Sequence, residues 1–138
     1  MLLINKNIKQ IHKFILYITV MFFIFILWII YKVDTGQDSL FFDLIRDVPY
    51  GDKMGHFILF GLLVLGVNIA TKFKQVKIGA INIFVGTVLV FMFVLVEELS
   101  QYFLPMRTLD IMDLCADIAG IILFSAISYS LSKRVLLG

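Results

Sequence analysis

The sequence predicts an all-α fold, a membrane-embedded bundle of four transmembrane helices with a longer outer loop between the first and second helices. Of its 138 residues, 61% are hydrophobic and only 16% are charged, and the mean hydropathy is +1.00. A soluble domain typically has about 25% charged residues, and a chain this short cannot bury so much apolar surface on itself. Hydrocarbon is therefore the expected solvent for a single domain, residues 1–138.

Four apolar runs approach the roughly 17–25 residues that a helix needs to cross a bilayer. They cover residues 14–31, 54–70, 78–96 and 111–131. The first run ends with Trp28 and Tyr31, aromatic residues that favour the membrane–water boundary. It is longer than the apolar segment of a signal peptide and no small-residue cleavage site follows it, so we expect a retained helix.

Basic residues near the ends of the runs predict the orientation, because positive charge is enriched on the cytoplasmic side. With four crossings, eight of the twelve Lys and Arg residues fall on one side: Lys6, Lys9, Lys13, Lys72, Lys74, Lys77, Lys133 and Arg134. The other side holds Lys32, Arg46, Lys53 and Arg107. A multi-pass protein of the cell membrane with both termini in the cytoplasm is therefore expected.

The connections differ in character. Residues 32–53 form a long acidic connection, residues 71–77 a short basic one, and residues 97–110 a short one that contains Pro105. Within the long connection, residues 39–49 fit either a short amphipathic helix on the outer surface or an irregular loop with apolar anchors, and the sequence leaves both open.

Acidic residues are confined to the outer connections and the outer halves of the helices. They are Asp34, Asp38, Asp43, Asp47, Asp52, Glu97, Glu98, Asp110, Asp113 and Asp117. Because acidic residues contribute little to orientation, this distribution points to a functional site rather than to a topology.

Polar side chains at the outer ends of the second and third runs share helix faces. Asp52 and His56 are four residues apart, and Glu98 and Gln101 are three apart, so the members of each pair are neighbours on a helix surface. An ionisable residue inside a membrane costs about 2.5–3.5 kcal/mol at the centre of a span and usually marks a functional site.

The fourth run opens with an acidic stripe. Asp110, Asp113 and Asp117 follow one another at offsets of three and four, and Asp117 is expected roughly 10 Å deeper than Asp110. Antiparallel helices bring this stripe level with the ends of the other two runs. We therefore expect an acidic funnel that opens outward, with His56, Glu98, Asp113 and Asp117 on its wall. Arg107 is expected above it, within reach of a carboxylate.

The candidate polar pocket comprises Asp52, Lys53, His56, Glu98, Gln101, Arg107, Asp110, Asp113 and Asp117. Structural alternatives stay open at several positions. Asp110 is also suited to cap the fourth helix, Lys53 to extend to the interface, and His56 to a packing role. Glu97 is expected to face water or headgroups, whereas Asp117 needs a specific partner because it should lie deepest.

Some site classes receive little support. The single Cys115 forms no internal disulfide, and no zinc-type Cys/His spacing occurs. The basic residues form short juxtamembrane clusters typical of contact with lipid headgroups, which disfavours nucleic-acid binding. Neither a cofactor nor a metal is specified by a diagnostic motif.

Two blocks resemble the VanZ-like family of small bacterial membrane proteins. The first is D-K-x-x-H-F-x-x-F, beginning at Asp52, and the second is E-x-x-Q-x-F-x-P-x-R, beginning at Glu98 and continuing to Asp113 and Gly120. Together they span about half of the chain. The chain departs from the family pattern at Asp117, where the family usually has asparagine.

The resemblance implies a protein of the bacterial cell envelope, from a family named after a member associated with resistance to the glycopeptide teicoplanin. Kinship does not fix function, and two hypotheses follow. In the first, the funnel binds a lipid-linked or glycopeptide-like ligand, or a partner protein, without chemistry and affects glycopeptide susceptibility.

In the alternative hypothesis, the protein is an intramembrane enzyme that acts on a lipid-linked phosphate substrate. His56 is then the general acid/base or nucleophile, carboxylates orient it or hold a divalent cation, and Lys53 and Arg107 meet the phosphate. A transporter is a third class, and it would require an oligomer.

Overall fold

The computed structural model describes residues 2–37, 47–105 and 107–137. Most of the surface segment predicted at residues 39–49, and with it the choice between helix and loop, lies outside these ranges. In chain order the elements are α1 (Leu2–Asp34), α2 (Gly51–Ala70), β1 (Gln75–Ile78), β2 (Ile81–Phe84), α3 (Val85–Gln101) and α4 (Ile111–Leu137).

Three of the helices are long and apolar enough to cross a membrane, which confirms this part of the predicted bundle. The qualifying segments are Gln10–Asp34, Gly51–Ala70 and Ile111–Arg134. The remaining helix, α3, has 17 residues. Its length is therefore roughly 26 Å, slightly less than the roughly 30 Å hydrocarbon core of a bilayer.

A β-hairpin replaces the start of the third predicted run, so the helix expected from residue 78 begins only at Val85. β1 and β2 pair antiparallel, with Gln75 opposite Phe84 and Ile78 opposite Ile81. Gly79, at the tip, has a φ of 61°, a left-handed conformation that glycine adopts without steric cost. β-branched residues at alternate positions favour strands over helix.

The helices pack around a small apolar core, and α2 makes the most extensive contact with α4. The fully buried core residues come from all four helices: Ile26, Phe60, Leu63, Val64, Val90, Val94 and Ile121. Gly120 of α4 lies directly against the backbone carbonyl of Phe57 in α2, where no Cβ atom fits. Small residues allow such close approach of membrane helices.

A buried polar cluster ties the last turn of α2 to α3 and α4. The Asn68 side chain is fully buried, and its Nδ2 donates hydrogen bonds to Thr87 Oγ1 and Ser128 Oγ, each at 3.1 Å. Thr87 also contacts Ser125 at 2.8 Å between hydroxyl oxygens. Hydrogen bonds between membrane helices contribute about 1 kcal/mol each, so this cluster fixes the register of three helices.

Side-chain contacts show which helix ends meet. Lys53 at the start of α2 contacts Asp110 and Asp113 at the start of α4. Arg107, just after α3, contacts Asp34 at the end of α1. We call this end of the bundle the polar end. The start of α1, the end of α2, the hairpin and the end of α4 lie at the opposite end.

The contact between Gly120 and the Phe57 carbonyl predicts a large effect of a small substitution. Gly120→Ala should destabilise the protein by about 1–3 kcal/mol, because the added methyl group forces α2 and α4 apart. Thermal unfolding in detergent measures the change. Gly55→Ala is the matched control, since a Cβ there meets no atom within 4 Å; equal melting temperatures for the two variants would contradict the close packing.

Candidate functional site

Lys53 is the centre of the first cluster at the polar end. Its Nζ lies 2.8 Å from Asp52 Oδ2, 2.8 Å from Asp110 Oδ2 and 2.8 Å from Asp113 Oδ1. An ammonium group has three N–H donors, so these three carboxylates use all of them. Lys53 therefore links the first turns of α2 and α4 instead of extending to the interface.

Asp110 has two roles that the sequence left as alternatives. Its Oδ1 accepts a hydrogen bond from the backbone N–H of Met112 at 2.8 Å, which caps α4, while its Oδ2 accepts one from Lys53. The hydrogen bond from Lys53, and after it the one from the Met112 N–H, hold the pKa of Asp110 below its ordinary value of 3.8.

His56 is the centre of the second cluster, one turn deeper on α2. Its Nδ1 lies 3.0 Å from Asp117 Oδ1 and 4.0 Å from Glu98 Oε1. On its other side, Nε2 lies 4.0 Å from Asp113 Oδ2. Asp113 thus touches both clusters, with one oxygen on Lys53 and the other near His56.

The two carboxylates beside His56 are buried without enough partners. Asp117 is 0% exposed and Glu98 is 2% exposed. Among the described residues, both oxygens of Glu98 and the Oδ2 of Asp117 have no hydrogen-bond partner. Burying an ionised carboxylate without a compensating group is very costly, so a neutralising species is required at this position.

Arg107, Gln101 and Glu97 form a third cluster. Gln101 Nε2 lies 3.2 Å from both oxygens of Glu97, and Arg107 Nη2 lies 3.5 Å from Glu97 Oε1. Arg107 Nε is also 3.7 Å from Asp34 Oδ1. The expectation that Glu97 faces water or headgroups was wrong: it is 7% exposed, because Gln101 one turn later and the returning loop cover it.

An open cavity of about 520 Å³ lies between α1 and these polar groups. One wall consists of apolar side chains of α1: Phe25, Ile26, Ile29, Ile30 and Val33. The polar lining residues, which we call the polar wall, are Asp52, His56, Glu97, Gln101, Arg107, Thr108, Asp110 and Asp113. The apolar Ile58, Leu59 and Phe60 of α2 also line the cavity. The apolar wall was missed by sequence reasoning, since apolar residues beside a cavity look like those facing lipid.

The structure thus gathers all nine predicted pocket residues at one end of the bundle, in three adjoining clusters. Glu98 and Asp117, expected on the wall of the opening, are instead buried next to His56 and do not line the cavity. His56, Glu98 and Asp117 each offer one ligand atom, all within 4.8 Å of one another. Of the described residues, only these three form a group that could hold a metal ion.

Removal of the Lys53 charge tests the first cluster. Lys53→Met should lower the melting temperature at neutral pH by several degrees, because three carboxylates lose their shared cation. The lowered pKa of Asp110 gives stability that is complete above pH 3.8 and is lost as the pH falls through the folded-state pKa. The difference between wild type and variant should therefore shrink below about pH 4.

Melting curves from pH 7 to pH 3 check this expectation. Lys74→Met is the control, since Lys74 is exposed at the opposite end of the bundle. A Lys53→Met variant as stable as the Lys74→Met variant at neutral pH would mean that the contacts around Lys53 contribute no stability.

Comparison with known proteins adds one finding. A family model described as VanZ/LLP1 matches residues 4–132, nearly the whole chain. The search of the curated proteins and the search of the solved structures find no match. The apolar helices and the extent of this match lead to one assignment: the chain belongs to the VanZ/LLP1 family.

Proposed function

We propose that this protein binds an amphiphile at the outer face of the cell membrane, with its chain against α1 and its polar head at the polar end. The ligand class that fits is a lipid-linked saccharide or glycopeptide. The observation that carries the proposal is the cavity of about 520 Å³, which is lined by apolar side chains of α1 and α2 and by a set of ionisable and polar side chains.

The apolar wall provides the affinity for a chain. Ligand cavities are typically about 300–1,000 Å³, so this one holds part of a lipid-sized molecule. Each methylene group that leaves water contributes about 0.8 kcal/mol, although a ligand arriving from the bilayer gains less. Ile29 and Ile30 of α1 line the same cavity as His56 and Asp52 of α2, so both an apolar chain and a polar head find matching side chains there.

The polar wall favours a head group that donates hydrogen bonds. Four carboxylates line the cavity, against Arg107 and His56. Arg107 is already paired with Glu97 and Asp34, and Lys53 is already shared by three carboxylates. Sugar hydroxyls and amines match these acceptors, whereas a phosphate would be repelled by the four carboxylates and would have to displace a carboxylate from Lys53.

The orientation of the protein belongs to the same proposal. Lys72, Lys74 and Lys77 lie between α2 and α3, at the end of the bundle opposite the cavity, and basic loops favour the cytoplasm. This supports cytoplasmic termini and a cavity that opens outward. Sequestering an envelope saccharide or a glycopeptide there is a route by which the protein would alter glycopeptide susceptibility.

A second candidate function is catalysis by His56. The observation in its favour is that the imidazole lines the cavity while its Nδ1 lies 3.0 Å from the buried Asp117. A carboxylate that orients an imidazole toward a ligand is a common arrangement for general base catalysis. The substrate would be a lipid-linked phosphate or saccharide.

Filling the cavity tests the binding proposal. Gly55 lines the cavity, and a Cβ there meets no atom within 4 Å, so Gly55→Leu should occupy the cavity without disturbing the helices. We expect it to weaken binding of a hexosyl diacylglycerol by about tenfold or more, as measured by native mass spectrometry in detergent. Leu62→Phe, which adds bulk at an exposed position of α2, is the matched control.

Two lipids with the same acyl chains complete this experiment. Hexosyl diacylglycerol should bind more tightly than phosphatidic acid, because the carboxylates repel the phosphate. Equal binding of both lipids to wild type, or undiminished binding to Gly55→Leu, would contradict the proposal.

Turnover separates the two candidate functions. If His56 is catalytic, the purified protein should convert a lipid-linked phosphate or saccharide, and His56→Gln should lower the rate by about 100-fold or more. Chromatography of the products measures this. An unchanged rate in the variant, or no product from wild type, would exclude catalysis by His56 and leave the binding function.

A further inference from the structure

The buried cluster of His56, Glu98 and Asp117 is chemically distinct from the cavity wall. These residues come from three helices, α2, α3 and α4, and their nearest ligand atoms lie within 4.8 Å of one another. His56 Nδ1 is 3.0 Å from Asp117 Oδ1 and 4.0 Å from Glu98 Oε1. A metal bound at about 2.1 Å holds such ligand atoms roughly 3–4 Å apart, so only small side-chain movements are needed.

An independent observation points to a missing positive charge. Glu98 is 2% exposed, both of its oxygens lack a hydrogen-bond partner among the described residues, and one of them faces His56. Asp117 is 0% exposed and its Oδ2 is likewise unpaired. One imidazole cannot neutralise two buried carboxylates, and unpaired buried charge is strongly unfavourable.

The nearby basic residues do not supply this charge. In the described part of the chain, the ion pairs of Lys53 are with Asp52, Asp110 and Asp113. Those of Arg107 are with Asp34 and Glu97. Neither residue forms an ion pair with Glu98 or Asp117, so the compensating species must be a bound cation or a proton.

The donor set favours a particular class of cation. Mg²⁺ and Ca²⁺ prefer oxygen ligands alone, whereas an imidazole nitrogen with two carboxylates suits Zn²⁺ or Mn²⁺. His56 also lines the open cavity, which gives an ion a route to ligands that are themselves buried.

We propose that His56, Glu98 and Asp117 form a binding site for one divalent transition-metal ion of the Zn²⁺ or Mn²⁺ class, bridging α2, α3 and α4. This site goes beyond the proposed binding of an amphiphile and does not depend on it. The ion neutralises the buried carboxylates and joins the three helices below the cavity.

Metal binding to the purified full-length protein tests the site directly. The protein, without a histidine tag, is stripped with a chelator in detergent and titrated with ZnCl₂ and, separately, with MnCl₂. Calorimetry gives the affinity, and elemental analysis after gel filtration gives the stoichiometry. We expect about one ion per chain for at least one metal, and a higher melting temperature with the ion bound.

Variants locate the ion. Glu98→Gln and Asp117→Asn should each weaken binding by about tenfold or more and reduce the increase in melting temperature at a given ion concentration. Glu97→Gln is the matched control, since Glu97 is the adjacent buried carboxylate but contacts Gln101 and Arg107. Asp110→Asn, at the exposed rim, is a second control; both should bind within about threefold of wild type.

The outcomes are decisive even if one variant misfolds. Wild-type protein that retains no ion from either metal would overturn the proposal, and a proton on the carboxylates would then provide the neutralisation. Wild-type affinity in a folded Glu98→Gln or Asp117→Asn variant would place the ion elsewhere and also overturn it.

Discussion

The contact between His56 and the buried Asp117 is the interaction on which the polar end depends. Asp117 lies two turns inside α4, fully buried, and the imidazole 3.0 Å away is its hydrogen-bond partner. The contact requires α2 and α4 to approach closely, which Gly120 permits by lying against the carbonyl of Phe57. A bulkier residue at position 120 would move α2 away from α4 and so separate His56 from Asp117.

The depth of this contact divides the site into two layers. At the rim, Lys53 joins α2 to α4 through carboxylates that are partly exposed, so that water can share in their solvation. One turn deeper, Glu98 and Asp117 are cut off from water, and electrostatic interactions there are much stronger. Asp113 belongs to both layers, because one of its oxygens contacts Lys53 and the other lies 4.0 Å from His56 Nε2.

The features of this arrangement that could be predicted are those set by helix periodicity and hydropathy. Long apolar runs reveal three spans, and offsets of three and four place Asp110, Asp113 and Asp117 on one face. Alternation of crossings then places that face near His56. The choice of partner could not be predicted, because it depends on rotamers and on the distance between helices. Nothing in the sequence assigns Lys53 rather than His56 to Asp110.

The features that could not be predicted lack a local signal. An apolar run has the same hydropathy in a helix and in a hairpin, so only the alternating β-branched residues around Gly79 distinguished the strands before Val85. Glu97 was expected at the surface because nothing in the sequence shows that the loop after α3 brings Arg107 back to contact it. The residues of α1 that line the cavity are ordinary apolar residues. The same residue types occur in helix faces that contact lipid, so the sequence does not distinguish the two environments.

An excess of hydrogen-bond acceptors connects both layers of the site. Seven carboxylates meet Lys53, Arg107 or His56 at the polar end, so carboxylates outnumber the basic side chains there by more than two to one. At the rim, where water competes, this excess favours neutral donors such as hydroxyl groups. In the dry layer, solvation is lost and only a cation or a proton can balance the charge. The same imbalance is the basis of both proposals, a donor-rich head group at the rim and a positively charged species in the buried layer.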